Sequence, residues 1–560
     1  MNEYPKIIRP VLSALATASC ALALLLILAS WAHADPPPPR FVDVAAELGL
    51  SKVHTGGGPE KEYIVEAKGG GAAVLDFDDD GDLDIYWING APLDTPRQGG
   101  GNALYRNDGS SFTDVAACTG VEGRGWGMGA VSADYDNDGD TDLYITSLQA
   151  NILYRNDGSG DLRFVDVAAL AGVATPSWST GAALADCDLD GDLDLYVANY
   201  LEFQRQEHPA LGAQWKGLAV FVGPKGLTAA PDAFYRNEGD GTFSDATFHA
   251  RLTHPSPGYG LGVLCADYDL DGYPDLFVAN DSSPNFLYHN RGDGRFTDLS
   301  IPANIAYSAS GKIQAGMGVG WGDYDNDGDP DIFVSHFEGE YNTLYRNEGE
   351  GRFADISAIA GLVEPSLPYV GFGTNFFDYD NDADLDLFVA NGHVYPQIDR
   401  ASSGSSYAQT DHLFANNNDG TFHLLPIAHL ADAARVSRGS CVIDYDDDGD
   451  LDLFVAHLNG RPALLRNDGG HKHNWLGIVL VGKTDNRDGI GGRVRLVAGG
   501  QTQFRDAIRG SSFLSSEDPR LHFGLGHSQR VDTLEVRWPS GGVQRLIDLP
   551  INQYLRVEQD

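Results

Sequence analysis

A nine-residue pattern, D-x-D-x-D-G-D-x-D, occurs seven times in this chain, and no other feature of the sequence limits its fold as strongly. The first copy supplies Asp76, Asp78, Asp80, Asp82 and Asp84; the second Asp134, Asp136, Asp138, Asp140 and Asp142; the third Asp186, Asp188, Asp190, Asp192 and Asp194. The fourth has Asp267, Asp269, Asp271 and Asp275 with Tyr273 at position 7, and the fifth Asp323, Asp325, Asp327, Asp329 and Asp331. Asp378, Asp380, Asp382, Asp384 and Asp386 form the sixth, where Ala383 replaces the glycine, and Asp444, Asp446, Asp448, Asp450 and Asp452 the seventh. Successive copies lie about 61 residues apart, which suits one four-stranded unit per copy.

Two more signatures keep the same period. Each loop is followed by a turn such as Leu104-Tyr105-Arg106-Asn107-Asp108-Gly109, where Asn/Asp-Gly between apolar runs reads as a tight hairpin. Each hairpin except the last leads into a strand opening on Phe112, Phe164, Phe243, Phe296, Phe353 or Phe422; an Asp follows two positions later in all but the last of these. The spare copy of that strand is Phe41-Val42-Asp43-Val44, ahead of the first loop. A strand borrowed from the N-terminal side would close a ring, whereas an open array would leave bare sheet edges. The expected fold is all-β: a seven-bladed β-propeller with calcium loops, plus a small C-terminal β-sandwich-like domain.

The aspartates themselves point to Ca²⁺, about one per blade. A hard cation wants six to eight oxygens, and carboxylates at alternate positions of a tight loop converge on one point. Position 6 needs glycine where the backbone turns sharply, and position 7 is expected to offer only its carbonyl, which tolerates Tyr273. An EF-hand would need a bidentate Glu at position 12, where Trp87 and Ile145 stand instead. Mg²⁺ prefers fewer protein ligands and more water. The Asp positions of the pattern supply 34 of the chain's 80 acidic residues, and seven Ca²⁺ would bring the formal charge from −42 to −28. The acidity thus reflects metal demand, and it excludes a nucleic-acid partner, which would need a basic face.

The N-terminus sets the expected compartment. Lys6 and Arg9 precede an uncharged stretch over residues 11–32, and Ala32-His33-Ala34 has the form of a cleavage site. Residues 1–34 read as a signal peptide and 35–40 as a Pro-rich spacer, giving a secreted, periplasmic or cell-surface protein. A membrane enters only if the segment stays uncleaved. Cys118, Cys187, Cys265 and Cys441 remain after the leader. The last three fall in or just before Asp loops of different repeats, which are not expected to meet, so buried free thiols are preferred to disulfides.

With their glycine-rich preceding strands, such as Gly318-Val319-Gly320-Trp321-Gly322, the loops resemble FG-GAP/VCBS repeats, like those of integrin α-chain propellers. The resemblance covers about residues 41–470 and implies structural calcium in each loop. Residues 471–560 resemble the ASPIC/UnbV domain through Asn486-Arg487-Asp488-Gly489-Ile490-Gly491-Gly492-Arg493-Val494, Gly510-Ser511-Ser512-Phe513-Leu514-Ser515 and Val536-Arg537-Trp538-Pro539-Ser540-Gly541. A propeller followed by this domain is similar to the cartilage acidic protein family, which implies calcium-dependent extracellular binding or adhesion. Ser511, Ser512, Ser515 and Ser516 lack a nucleophile elbow and read as turn hydroxyls.

A binding scaffold for a protein or glycan is therefore preferred to an enzyme or a biosynthetic accessory protein, although fold alone does not separate them. The ligand face is sought where polar residues close the second strand of each repeat: Asn89, Ser147, Asn199, Asn280, His336, Asn391 and His457. They either ring a binding surface or satisfy strand-end backbone groups. Long connections beyond three of them bring Tyr200, Trp215, His393 and Tyr395 to the same side. Tyr200, Trp215, His336, His393, Tyr395 and His457 are the candidate ligand contacts.

Overall fold

Apolar strands on either side of an Asp loop fold back on one another as an antiparallel pair. The computed structural model describes residues 40–560 apart from 96–99, 124, 159–163, 401–403, 427–433 and 470–471. Its first repeat shows the rule. Ala72–Leu75 and Asp84–Trp87 flank the loop and pair from Leu75↔Asp84 to Ala72↔Trp87. The Asn-Asp-Gly turn then joins Ala103–Asn107 to Phe112–Asp114, completing a four-stranded sheet. The leader and the cleavage site lie outside the described residues. Among those described, no helix is long and apolar enough to cross a membrane.

The same plan recurs, and among the described residues seven four-stranded sheets carry the seven Asp loops. Their first strands are Ala72–Leu75, Gly127–Ala133, Ser179–Ala185, Gly260–Ala266, Val319–Gly322, Gly371–Phe377 and Ser437–Ile443. Each packs against the first strand of the next sheet, and the seventh packs against the first, so the β-propeller closes on itself. The spare strand takes its expected place: Phe41–Asp43 pairs with Ala463–Asn467 of the seventh sheet, Phe41 opposite Asn467. Phe422–Leu424 forms its strand despite lacking the aspartate.

Beyond the seventh sheet, Asn474–Val481 lies between Leu521–Gly526 and Tyr554–Glu558 in a three-stranded sheet. Gln501–Asp506, Arg493–Ala498, Val531–Arg537 and Val543–Leu549 make a four-stranded sheet. Leu476, Ile478, Val494, Phe523, Leu534 and Val536 fill one core between them. The alternating burial of Arg493–Ala498 is that of a strand with one face on that core.

This C-terminal part also sends residues 509–516 into the propeller. Leu184 N–H donates to Arg509 O, Ala130 N–H to Leu514 O and Val319 N–H to Ser512 O. Ser516 N–H donates to Ala72 O, Thr374 N–H to Ser512 Oγ, and the hydroxyls of Ser440 and Ser512 lie 3.2 Å apart. One short segment thus bonds to the first strands of six of the seven sheets. The hydroxyls of Ser511, Ser512 and Ser515 are buried hydrogen-bonding groups.

Candidate metal centres

Each Asp loop is held in shape by its own carboxylates. In the second loop Asp134 Oδ1 and Oδ2 accept the N–H groups of Asp138 and Gly139 at 3.1 and 2.8 Å, and Asp138 Oδ1 accepts that of Asp140 at 3.0 Å. The backbone turns left-handed at position 4 (Asn137, φ 59°) and again at position 6 (Gly139, φ 104°). These turns bring the side chains of positions 1, 3, 5 and 9 inward. One carboxylate oxygen from each of Asp134, Asp136 and Asp142 lies within 4.8 Å of the others, as with Asp76, Asp78 and Asp84.

Several of those oxygens find no partner among the described residues: Oδ1 of Asp76, Asp78, Asp136, Asp269, Asp325 and Asp444 is buried without a hydrogen bond there. Such a group costs on the order of 1–3 kcal/mol, more when charged. Burial, with repulsion from neighbouring aspartates, pushes Asp76 up to about 6, Asp186 and Asp323 to about 7 and Asp84 to about 8. All-oxygen donor sets of this density fit Ca²⁺. Bound there, the cation would supply charge neutralisation and crosslink the ligands. Asp269, Asp275 and His289 form a further group in the fourth loop.

Position 9 does more than sequence reading assigned to it. Asp142 Oδ2 accepts the N–H of Tyr135 at position 2, while Oδ1 accepts the N–H of Asn156 in the following hairpin. That asparagine then reaches the preceding sheet: Asn156 Nδ2 donates to Phe77 O, Asn237 Nδ2 to Tyr135 O and Asn347 Nδ2 to Tyr268 O. Position 4 adds a link in the other direction, from Asn137, Asn326 and Asn381 to the position-6 carbonyls of the next loop. Its signal was the recurrent Asn or Asp at a left-handed position.

The C-terminal part is seated on this loop face. Arg487 N–H donates to Asn137 Oδ1, Tyr554 Oη to Asp444 Oδ2, and His522 Nε2 to Gly449 O at 3.1 Å. Burial holds His522 down at about 3, so its imidazole is neutral.

The opposite end holds the expected ligand contacts, and there the sequence reading needs correction. Ser147, Asn199, Asn280, Asn391 and His457 share one register, each opposite the start of its first strand. All seven rim residues are nevertheless buried. Most cap local backbone: Asn199 Nδ2 donates to Pro231 O, Asn280 Nδ2 to Pro284 O, and His457 Nδ1 to Arg461 O. The backbone role, left open by the sequence, is the one these contacts fill. His336 is fully buried and Tyr200 donates its hydroxyl to Asp281 Oδ2 at 2.6 Å.

Three candidates do meet. Trp215, on the hairpin strand Ala213–Trp215, packs against Phe337 and Tyr395, with its Nε1 3.4 Å from Glu338 Oε2. His393 Nε2 lies 3.5 Å from the same carboxylate, and its Nδ1 accepts the Tyr395 N–H. Burial keeps His393 below the ordinary imidazole value against the pull of Glu338. Trp215 and Phe337 remain half-exposed while His393 is closed off, so contact from outside falls to the aromatic edges.

Closed sheets, Asp loops and the docked C-terminal part together define an Asp-loop β-propeller. The FG-GAP-like repeat family matches residues 76–145, 134–197, 220–278, 267–334 and 323–389, just over half of the chain, and ASPIC and UnbV matches 482–560. The chain belongs to the FG-GAP-like repeat proteins and carries an ASPIC/UnbV domain. It is 27% identical over 500 residues to cartilage acidic protein 1 of Homo sapiens, covering 84% of this chain and 69% of that one. The Mus musculus protein is 27% identical over 498 residues, covering 84% and 70%. Among solved structures it resembles an Agrocybe aegerita lectin specific for non-reducing terminal N-acetylglucosamine, at 17% identity and a TM-score of 0.39, over 70% of this chain and 86% of that one. It also resembles YCF48 bound to D1 peptide, at 9% identity and a TM-score of 0.40, over 77% and 96%.

Proposed function

We propose that this protein is an extracytoplasmic binding scaffold for a protein or glycan, with one Ca²⁺ held in each Asp loop. The observation that carries the reading is the set of buried, unpartnered carboxylate oxygens converging inside the loops. A divalent cation is the partner that satisfies several such oxygens at once. Rigid loops suit a scaffold whose work is presentation, and the half-exposed Trp215–Phe337 edge is the surface we assign to the ligand.

Metal analysis of the full chain tests the first part. In equilibrium dialysis against millimolar calcium, the folded protein should bind several calcium ions per chain, approaching seven as free calcium rises. A folded protein that binds none under those conditions overturns the reading. A glycan array and a protein-capture screen, compared between the native chain and Trp215→Ala, test the second part.

A further inference from the structure

Position 2 of the Asp loop is aromatic in six repeats: Phe77, Tyr135, Tyr268, Tyr324, Tyr379 and Tyr445. In five of these the ring packs on a phenylalanine of a neighbouring sheet, as Tyr135 does on Phe243 at 5.7 Å and Tyr324 on Phe422 at 5.6 Å. The third loop alone has a small residue there, Cys187. Two positions before the loop, on the first strand, the seven repeats carry Val74, Ser132, Leu184, Cys265, Trp321, Phe376 and Val442. Only the fourth is a cysteine. The two exceptions face each other across adjoining sheets, with their sulfurs 4.0 Å apart in a shared apolar core. This corrects the expectation that cysteines of different repeats stay apart.

We propose that Cys187 and Cys265 are joined by a disulfide that crosslinks the third and fourth sheets when the chain folds in an oxidising compartment. The compartment rests on the extracytoplasmic reading above; the pairing does not. An S–S bond is about 2.05 Å long, so closing it brings the two sulfurs about 2 Å nearer. The oxidant is a dithiol–disulfide exchange partner. One cysteine thiolate attacks its disulfide, forming a mixed disulfide and releasing one thiolate. The second cysteine thiolate then attacks the mixed disulfide at the chain's sulfur, forming the S–S bond and releasing the other. The chain loses two protons and two electrons, and the oxidant gains them. Cys187 and Cys265 are 5% and 3% exposed once folded, so exchange precedes closure of the core and the bond is thereafter sealed from reductant.

Peptide mapping of the full chain, alkylated under denaturing conditions without reductant, decides the matter. One sample is exported to an oxidising compartment; another is refolded from reduced chain in a glutathione redox buffer. The expected result in both is a Cys187–Cys265 peptide pair two hydrogens lighter than the reduced peptides, unaffected by Cys118→Ser. Cys187→Ser should leave Cys265 alkylated and lower the Tm by several degrees. Linkage only in the refolded sample keeps the pair and removes the compartment reading. Two alkylated cysteines in both samples, in folded protein, overturn the proposal.

Discussion

Asn107 Nδ2 donates to the carbonyl oxygen of Tyr445 at 2.7 Å, joining residues 338 positions apart across the seam between the first and seventh sheets. Asn467 Nδ2 makes the equivalent bond to Tyr379 O, and Asn416 Nδ2 to Tyr324 O. The seam is therefore bonded like every other sheet boundary, and it gains a second tie from Phe41–Asp43.

Asn107→Ala should weaken the ring at that boundary. Both the Tyr445 carbonyl and the Gly109 N–H, which donates to Asn107 Oδ1, lose their partners. A loss of about 1–3 kcal/mol is expected from equilibrium denaturation. Hydrogen exchange should rise in the first and seventh sheets together; a rise confined to the first would contradict seam bonding.

Calcium removal should lower the melting temperature. If the loops hold Ca²⁺ as proposed, the cations stabilise the folded loops over the unfolded chain, and free calcium at about one to ten times a site's Kd adds about 0.4–1.4 kcal/mol per site. Individual affinities on the order of 10⁻⁴ to 10⁻³ M suit extracellular modules. Identical melting curves in excess chelator and in millimolar calcium would remove metal from the account.

Ala383 holds a φ of 85° at the position where the other six loops have glycine. An L-residue there costs roughly 1 kcal/mol or more. Its N–H still donates to Asp378 Oδ2 at 2.8 Å, so the loop keeps its bonding pattern under strain. Ala383→Gly should stabilise the protein by about 1 kcal/mol in denaturant titration. A loss of stability would mean that the buried methyl group contributes more than the strain costs.

Asp232 should make stability fall with pH. Its Oδ1 accepts the Asn199 N–H and its Oδ2 the Tyr196 hydroxyl, where the equivalent Asn102 and Asn151 meet Tyr86 and Tyr144. Burial pushes Asp232 up to about 7. A carboxyl raised on folding favours the folded state below its unfolded pKa of about 3.9, and that contribution is lost as pH rises through about 7. Asp232→Asn should flatten the stability profile between about pH 4 and 7 and gain roughly 1 kcal/mol at pH 8 over the native chain. Parallel profiles for the two proteins would contradict the assignment.

The repeats made the sheets and their closing strand legible, because local alternation and turn chemistry are written within each 61-residue period. The asparagine staples were not legible. Asn-Asp-Gly reads completely as a turn, and the carbonyl that takes the side chain belongs to another repeat. Five of the rim positions share one register, but no periodicity announced that they would be buried. Cys187 and Cys265 each looked unremarkable alone, and only the sheet boundary makes them a pair. Likewise the Gly510-Ser511-Ser512-Phe513-Leu514-Ser515 motif marks a domain in sequence, but its binding groove exists only once the ring has closed.

Phe513 should prove to be the residue that secures the C-terminal part in the propeller. It is fully buried and meets Phe372 edge-on at 4.9 Å, while Arg438 stacks on the other ring at 3.9 Å. Its neighbours Ser512 and Leu514 are held at φ of 54° and 56°, backbone states that persist only where surrounding contacts impose them. Phe513→Ala removes a ring from a closed space and should cost about 3–5 kcal/mol. The strained neighbours are then free to relax, so the segment should leave its hydrogen bonds with Ala130, Val319 and Thr374. Limited proteolysis should cut the variant near residues 509–516 while the native chain resists, and Phe513→Leu should restore most of that resistance. Equal resistance in native chain and Phe513→Ala would show that the loop-face contacts of Arg487, His522 and Tyr554 hold the C-terminal part without it.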